Sequence, residues 1–65
     1  MKIAKIEIEI EKNAQGAYIL KGRDECGEIV AKSAFYFYTK KAALKEFKDS
    51  LKYTGADFEI YDFTK

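Results

Sequence analysis

Residues 5–11 read Lys-Ile-Glu-Ile-Glu-Ile-Glu, with Ile6, Ile8 and Ile10 on one side of an extended chain and Glu7, Glu9 and Glu11 on the other. A helix would scatter both sets around its circumference, whereas a strand keeps them apart, one face in a core and the other acidic toward water. The alternation predicts a first strand over about 2–11, with Ala4 joining the isoleucines and Lys5 joining the glutamates. Whatever else the chain forms must cover three adjacent isoleucines.

Turn chemistry divides the remainder of the chain. Asn13, Ala14, Gln15 and Gly16 form a short polar loop with a glycine able to adopt positive φ, so residues 17–21 are expected back as a hairpin partner. Residues 22–27 are again turn-rich, and residues 28–38 read as a third extended segment ending in Phe35, Tyr36, Phe37 and Tyr38, with a bulge or bend expected at Ser33 and Ala34. From Lys40 the period changes to that of a helix. Leu44, Phe47 and Leu51 form an inward stripe widened by Ala43, Thr39 is the N-cap and Gly55 the C-terminal cap. A last strand over 56–63 turns Phe58 and Ile60 inward and Asp57, Glu59 and Tyr61 outward, with Phe63 on the outward set.

The order β-β-β-α-β is satisfied with short connections by a two-layer α+β fold, one helix packed on one face of a mostly antiparallel four-stranded sheet. A helix crossing over the sheet would bring the last strand into the direction of the third and beside the first in the middle of the sheet. The 65 residues make a single domain, 1–65, and a chain of this length buries roughly 60% of the surface its unfolded form exposes. An apolar content of 48% is enough for a globular core.

The stretch from Tyr18 to Leu44 carries Leu20-Lys21, Gly27-Glu28-Ile29-Val30, Ser33, Tyr36 and the helix opening Lys41-Ala42-Ala43, and in these it resembles the YegP-like family of small bacterial proteins. It departs from that family's pattern at Arg23 to Cys26, in the longer aromatic run through Phe37 and Tyr38, and in having no Asn before Gly27. The resemblance implies a sheet-plus-helix fold that pairs with a second copy or repeat, and it brings no catalytic residues.

The side chains argue against catalysis. The chain has no His, no Cys and His at metal-ligand spacing, and a single cysteine, so no catalytic residue, metal or cofactor is expected and no internal disulfide can form. Glu7, Glu9 and Glu11 on an open strand face would be solvated carboxylates, and Asp24, Glu25, Cys26 and Glu28 read as polar loop residues. Two acids beside Cys26 disfavour a reactive thiolate. No apolar run approaches membrane length and no signal core is seen, so a cytoplasmic chain without membrane contact is expected.

Association remains. Charges nearly cancel, 12 Lys plus Arg against 11 Asp plus Glu, so any charged partner must be met by a local patch. The expectation is a protein-binding module, a homodimer formed through a sheet edge near Phe35 to Tyr38 or an aromatic face. Its candidate contacts are Tyr18, Tyr36, Tyr38 and Tyr61 with the row Glu7, Glu9 and Glu11. Carboxylates in a row also suit an inhibitor or adaptor, of the kind phage or bacteria make, that meets a basic protein surface. The alternative is weak nucleic-acid binding by Lys41, Lys45, Lys48 and Lys52, which line one side of the helix. Against it stands the scarcity of arginine, the better phosphate ligand, which occurs only at Arg23. Lys40 and Lys41 in the first helical turn oppose the helix dipole, and phosphate or an acidic protein surface would suit the positive excess of the helix.

Overall fold

A computed structural model describes residues 3–33 and 39–64. The elements are β1 (Lys5–Lys12), β2 (Tyr18–Arg23), β3 (Ile29–Lys32), α1 (Lys40–Leu51), a single 3₁₀ turn (Lys52–Thr54) and β4 (Asp57–Asp62). They form one four-stranded sheet in the order β3-β2-β1-β4 with α1 packed on one face, the two-layer α+β arrangement expected. The sheet is mixed. β1 runs antiparallel to β2, β2 antiparallel to β3, and β4 parallel to β1.

Each turn is held by its own side chains. Asn13 Oδ1 accepts from the N–H groups of Gln15 and Ala17, both at 2.9 Å, and closes the β1–β2 hairpin. Asp24 Oδ1 accepts from Cys26 and Glu28 in the same way, and Arg23 donates to the Gly27 carbonyl at 2.9 Å. Gly22 and Arg23, expected in that turn, instead stay in β2, because Gly22 is a packing position. The sheet irregularity falls there too. Gly22 faces Ala31 and Arg23 faces Ile29, which leaves Val30 as the extra residue of a bulge; of the bend expected at Ser33 and Ala34, Ala34 lies outside the described residues. Ser33 extends the pairing by donating its N–H to the Leu20 carbonyl, while its hydroxyl oxygen accepts from the Leu20 N–H. Among the described residues β3 is Ile29–Lys32; the remainder of the segment expected to run to Tyr38, residues 34–38, lies outside the described ones.

The core is the isoleucine face of β1. Ile6, Ile8 and Ile10 are buried with Leu20, Ala43, Phe47 and Leu51, while Leu44, expected in the stripe, is half-buried beside them. Ala4, expected among the inward residues, is exposed and lies before the first residue of β1. The Thr39 hydroxyl accepts from the Ala42 N–H at 3.3 Å and starts the helix, and Gly55 at φ 68° ends it after the 3₁₀ turn.

Helix and sheet pack closely at Gly22. A Cβ there would lie 3.1 Å from Ile6 Cγ2 and 3.4 Å from Phe47 Cε2, so the missing side chain is what lets Phe47 sit against β2. Gly22→Val is expected to overpack this contact and lower stability by ~1–3 kcal/mol. A fall in the urea midpoint at unchanged slope would report it, and an unchanged midpoint would mean that Phe47 does not close on β2.

Candidate functional site

The face of the sheet away from the helix brings the sequence-predicted acids together. Glu7, Glu9 and Glu11 run down β1; β2 places Arg23, Lys21 and Ile19 beside them, and β4 places Glu59 beside Glu7 and Tyr61 beside Glu9. The row is less acidic than the alternation alone suggests. Arg23 Nε lies 3.0 Å from Glu9 Oε1, Lys21 Nζ lies 3.5 Å from Glu11 Oε1, and Lys5 pairs with Glu59. The outer face of β1, expected to be acidic toward water, is instead met by cations, because β2 sets Lys21 and Arg23 directly across from the β1 glutamates. Their opposition is a register effect: antiparallel pairing puts Lys21 opposite Glu9 and Arg23 opposite Glu7.

Tyr61 donates its phenol to Glu59, which also takes the Lys5 ammonium. The three groups shift together. The Lys5 and Tyr61 hydrogen bonds lower the Glu59 pKa below the ordinary carboxylate value, while hydrogen bonding to Glu59 raises both the Lys5 and the Tyr61 pKa. At neutral pH this leaves a neutral tyrosine beside an ion pair.

The aromatics divide between the two faces. Tyr61 is on the open face and 38% exposed, whereas Tyr18 is half-buried on the helix side, with Lys12 Nζ 5.6 Å and Lys40 Nζ 5.8 Å from its ring centre. Tyr18 thus packs against the core and does not share a surface with Tyr61. Tyr36 and Tyr38 lie outside the described residues. Sequence reading passes over Tyr53, which is 85% exposed just after the helix, and gives no role to Phe63, 63% exposed beyond β4.

The lysines also separate. Lys41, Lys45 and Lys52 are exposed and Lys48 half-buried, and no ion pair joins these four to the described residues. Lys40 turns inward, its Nζ 2.7 Å from Asp62 Oδ2. That carboxylate, from the far end of β4, is the anion that a lysine in the first helical turn requires. Asp62 also accepts from the hydroxyl and N–H of Thr64. Beside the pair runs an open groove of about 550 Å³ lined by Ile10, Lys40, Lys41, Leu44, Ile60 and Asp62.

Cys26 is exposed and unbridged in its turn. Among the described residues no group of three or more His, Cys, Asp or Glu has metal-binding geometry, and no helix is long and apolar enough to cross a membrane. The fold and this surface define a small two-layer α+β protein with an uncovered sheet face. Comparison with protein families, with curated proteins and with solved structures finds no match to the chain.

The Lys40 ammonium, followed by the two Thr64 bonds, holds the Asp62 carboxyl well below the usual carboxylate range. A group depressed on folding stabilises the fold above its unfolded pKa, about 3.9, and loses that contribution as pH falls toward the folded value. Asp62→Asn is expected to be less stable than the parent at neutral pH and to lose less stability below pH of about 4. Urea midpoints of the two proteins across acid pH check this, and parallel curves would place Asp62 in an ordinary solvated state.

Proposed function

We propose that this chain is a non-enzymatic protein-binding module that acts by association through its sheet, with a second copy as the first partner to test. The observation that carries the reading is the placement of large apolar side chains along the two outer strands. Ile29 and Val30 are exposed on β3, and Ile60 and Tyr61 on β4 with Phe63 just beyond it, and among the described residues neither strand has a neighbour on its outer side in the sheet order. An edge strand with free N–H and C=O groups and apolar side chains is a template for strand addition. No proline occurs anywhere in the chain to block such an edge. The homodimer edge expected near Phe35 to Tyr38 falls outside the described residues, so the reading rests on β3 and β4.

The second reading is nucleic-acid contact through Lys41, Lys45, Lys48 and Lys52, favoured by their freedom from ion pairs among the described residues. Salt separates the two, since apolar and strand-edge contacts tolerate it and phosphate contacts do not. Sedimentation equilibrium of the reduced protein, alone and with a mixed oligonucleotide, at low and high salt, is the test. The expected result is concentration-dependent association that survives high salt and ignores the oligonucleotide. A monomer that takes up oligonucleotide only at low salt would replace this reading with the second.

A further inference from the structure

Neighbouring strands lie about 4.8 Å apart and a helix with its side chains is about 10 Å across, so one helix covers about two strands of a sheet. Here α1 covers β2 and β1, where Phe47 and Leu51 meet Ile6, Ile8 and Leu20 in the core. The inward face of β4 is left beside it. Ile60, level with Ile8 in the parallel register, is 38% exposed, and Phe58 is half-buried. Among the described residues, α1 and the 3₁₀ turn after it are the only elements outside the sheet. The result is the groove of about 550 Å³ with Ile10, Leu44 and Ile60 as its apolar lining.

The two walls of the groove differ in charge. Leu44 and Lys48, Lys41 and Lys45, and Lys48 and Lys52 are each one helical turn apart, so the flank of α1 that lines the groove with Lys41 and Leu44 continues as Lys48, with Lys45 and Lys52 at its upper rim. Glu46, Asp49 and Ser50 fall on the opposite flank. The β4 wall offers no free charge. Asp62 is held by Lys40, while Asp57 and Glu59 alternate onto the open face of the sheet, where Glu59 takes Lys5. A chain of net charge +1 thus gathers Lys41, Lys45, Lys48 and Lys52, unpaired among the described residues, along about 16 Å of helix beside an apolar floor.

We infer that this groove is the docking site of an acidic amphipathic helix from a partner protein, laid alongside α1 over β4. Its apolar stripe rests on Ile60, Leu44 and Ile10, and its carboxylates face Lys41, Lys45, Lys48 and Lys52. The occupant follows from the two chemistries together. An apolar floor calls for an apolar stripe, and cations at helical spacing along one wall are matched by acids at the same spacing on a helix beside it. A helix there also completes the layer that α1 leaves incomplete. A phosphate backbone would gain nothing from Ile60 or Leu44, and lysine lacks the bidentate fork that favours arginine for phosphate. A second copy is the poorer occupant. Laying α1 against α1 on this flank opposes lysine to lysine, and the flank with Glu46 and Asp49 has no apolar residue larger than Ala42. The site lies on the helix side of the sheet and goes beyond association through the outer strands, on which it does not depend.

A displayed library of helical peptides with a fixed leucine stripe and a randomised flank, selected on the full chain, tests the proposal. Enriched peptides are expected to be acidic on the flank, to shift the amide resonances of Leu44, Lys48 and Ile60, and to bind more weakly as salt rises. Lys41→Glu combined with Lys48→Glu is expected to weaken a selected peptide about tenfold, and replacing the peptide's carboxylates by lysines to restore its binding to that variant. Glu46→Gln, on the opposite flank, is expected to leave binding unchanged. No enrichment, an enriched flank without acids, or shifts confined to other residues would overturn the groove as the site of an acidic helix. A mixed oligonucleotide that shifts Leu44 and Ile60 in its place would make nucleic acid the occupant, and the same shifts on concentrating the chain alone would make it a second copy. Sedimentation of the chain alone reports on the outer strands separately, so either reading can fail while the other stands.

Discussion

The contact on which the rest depends is the packing of Phe47 across Gly22 onto the isoleucine face of β1. Ile6, Ile8 and Ile10 contribute roughly 1.5–3 kcal/mol each when fully buried, and they lie in a strand with neighbours on both sides. One helix of twelve residues has to cover them. It does so by lying close to β2, which is possible because position 22 has no side chain. Coverage of β2 and β1 comes at the expense of β4, whose inward residues Phe58 and Ile60 are left half-covered and exposed respectively. An uncovered outer strand is thus the direct result of how a short chain protects its central strand.

The charged residues follow the same geometry. Lys40 enters the first helical turn against the dipole, and the parallel placement of β4 carries Asp62 to within 2.7 Å of it. The ion pair links the start of the helix to the end of the last strand, two segments that share little apolar contact. At the other end of the sheet, Glu25 in the β2–β3 turn accepts from the N–H groups of Ala4 and Lys5 at 2.9 and 3.2 Å and secures the start of β1. Polar side chains close the fold where the core does not reach. The open face is a mosaic in which β2 cations answer β1 glutamates, which is why a near-neutral chain need not carry one strongly acidic surface.

Much of this is legible in the residues, for reasons that differ by element. β1 is legible because alternation of isoleucine and glutamate admits one conformation, and α1 because Thr39 and Gly55 bracket a helical period. The inward and outward sets of β4 agree with the alternation as well. The β2–β3 boundary is not legible because Gly22 reads as a turn residue locally, and nothing local shows that an aromatic ring from twenty-five positions later needs that space. Tyr18 misleads for a similar reason. A tyrosine in a strand reads the same on either face, and only the register with Lys12 puts it on the helix side.

Period and turn chemistry are properties of neighbouring residues, so the sequence by itself determined the number and order of the elements, the two faces of β1 and β4, and the helix caps. Tertiary structure decided what depends on residues distant in the chain. It paired Lys40 with Asp62, set Arg23 and Lys21 against the glutamates, brought Phe47 onto Gly22, and placed β4 rather than β1 at the rim of the sheet. The physical reason is that burial and charge pairing act through space. A side chain's worth is set by the strand or helix that lies across from it, and that neighbour is chosen only when the layers pack.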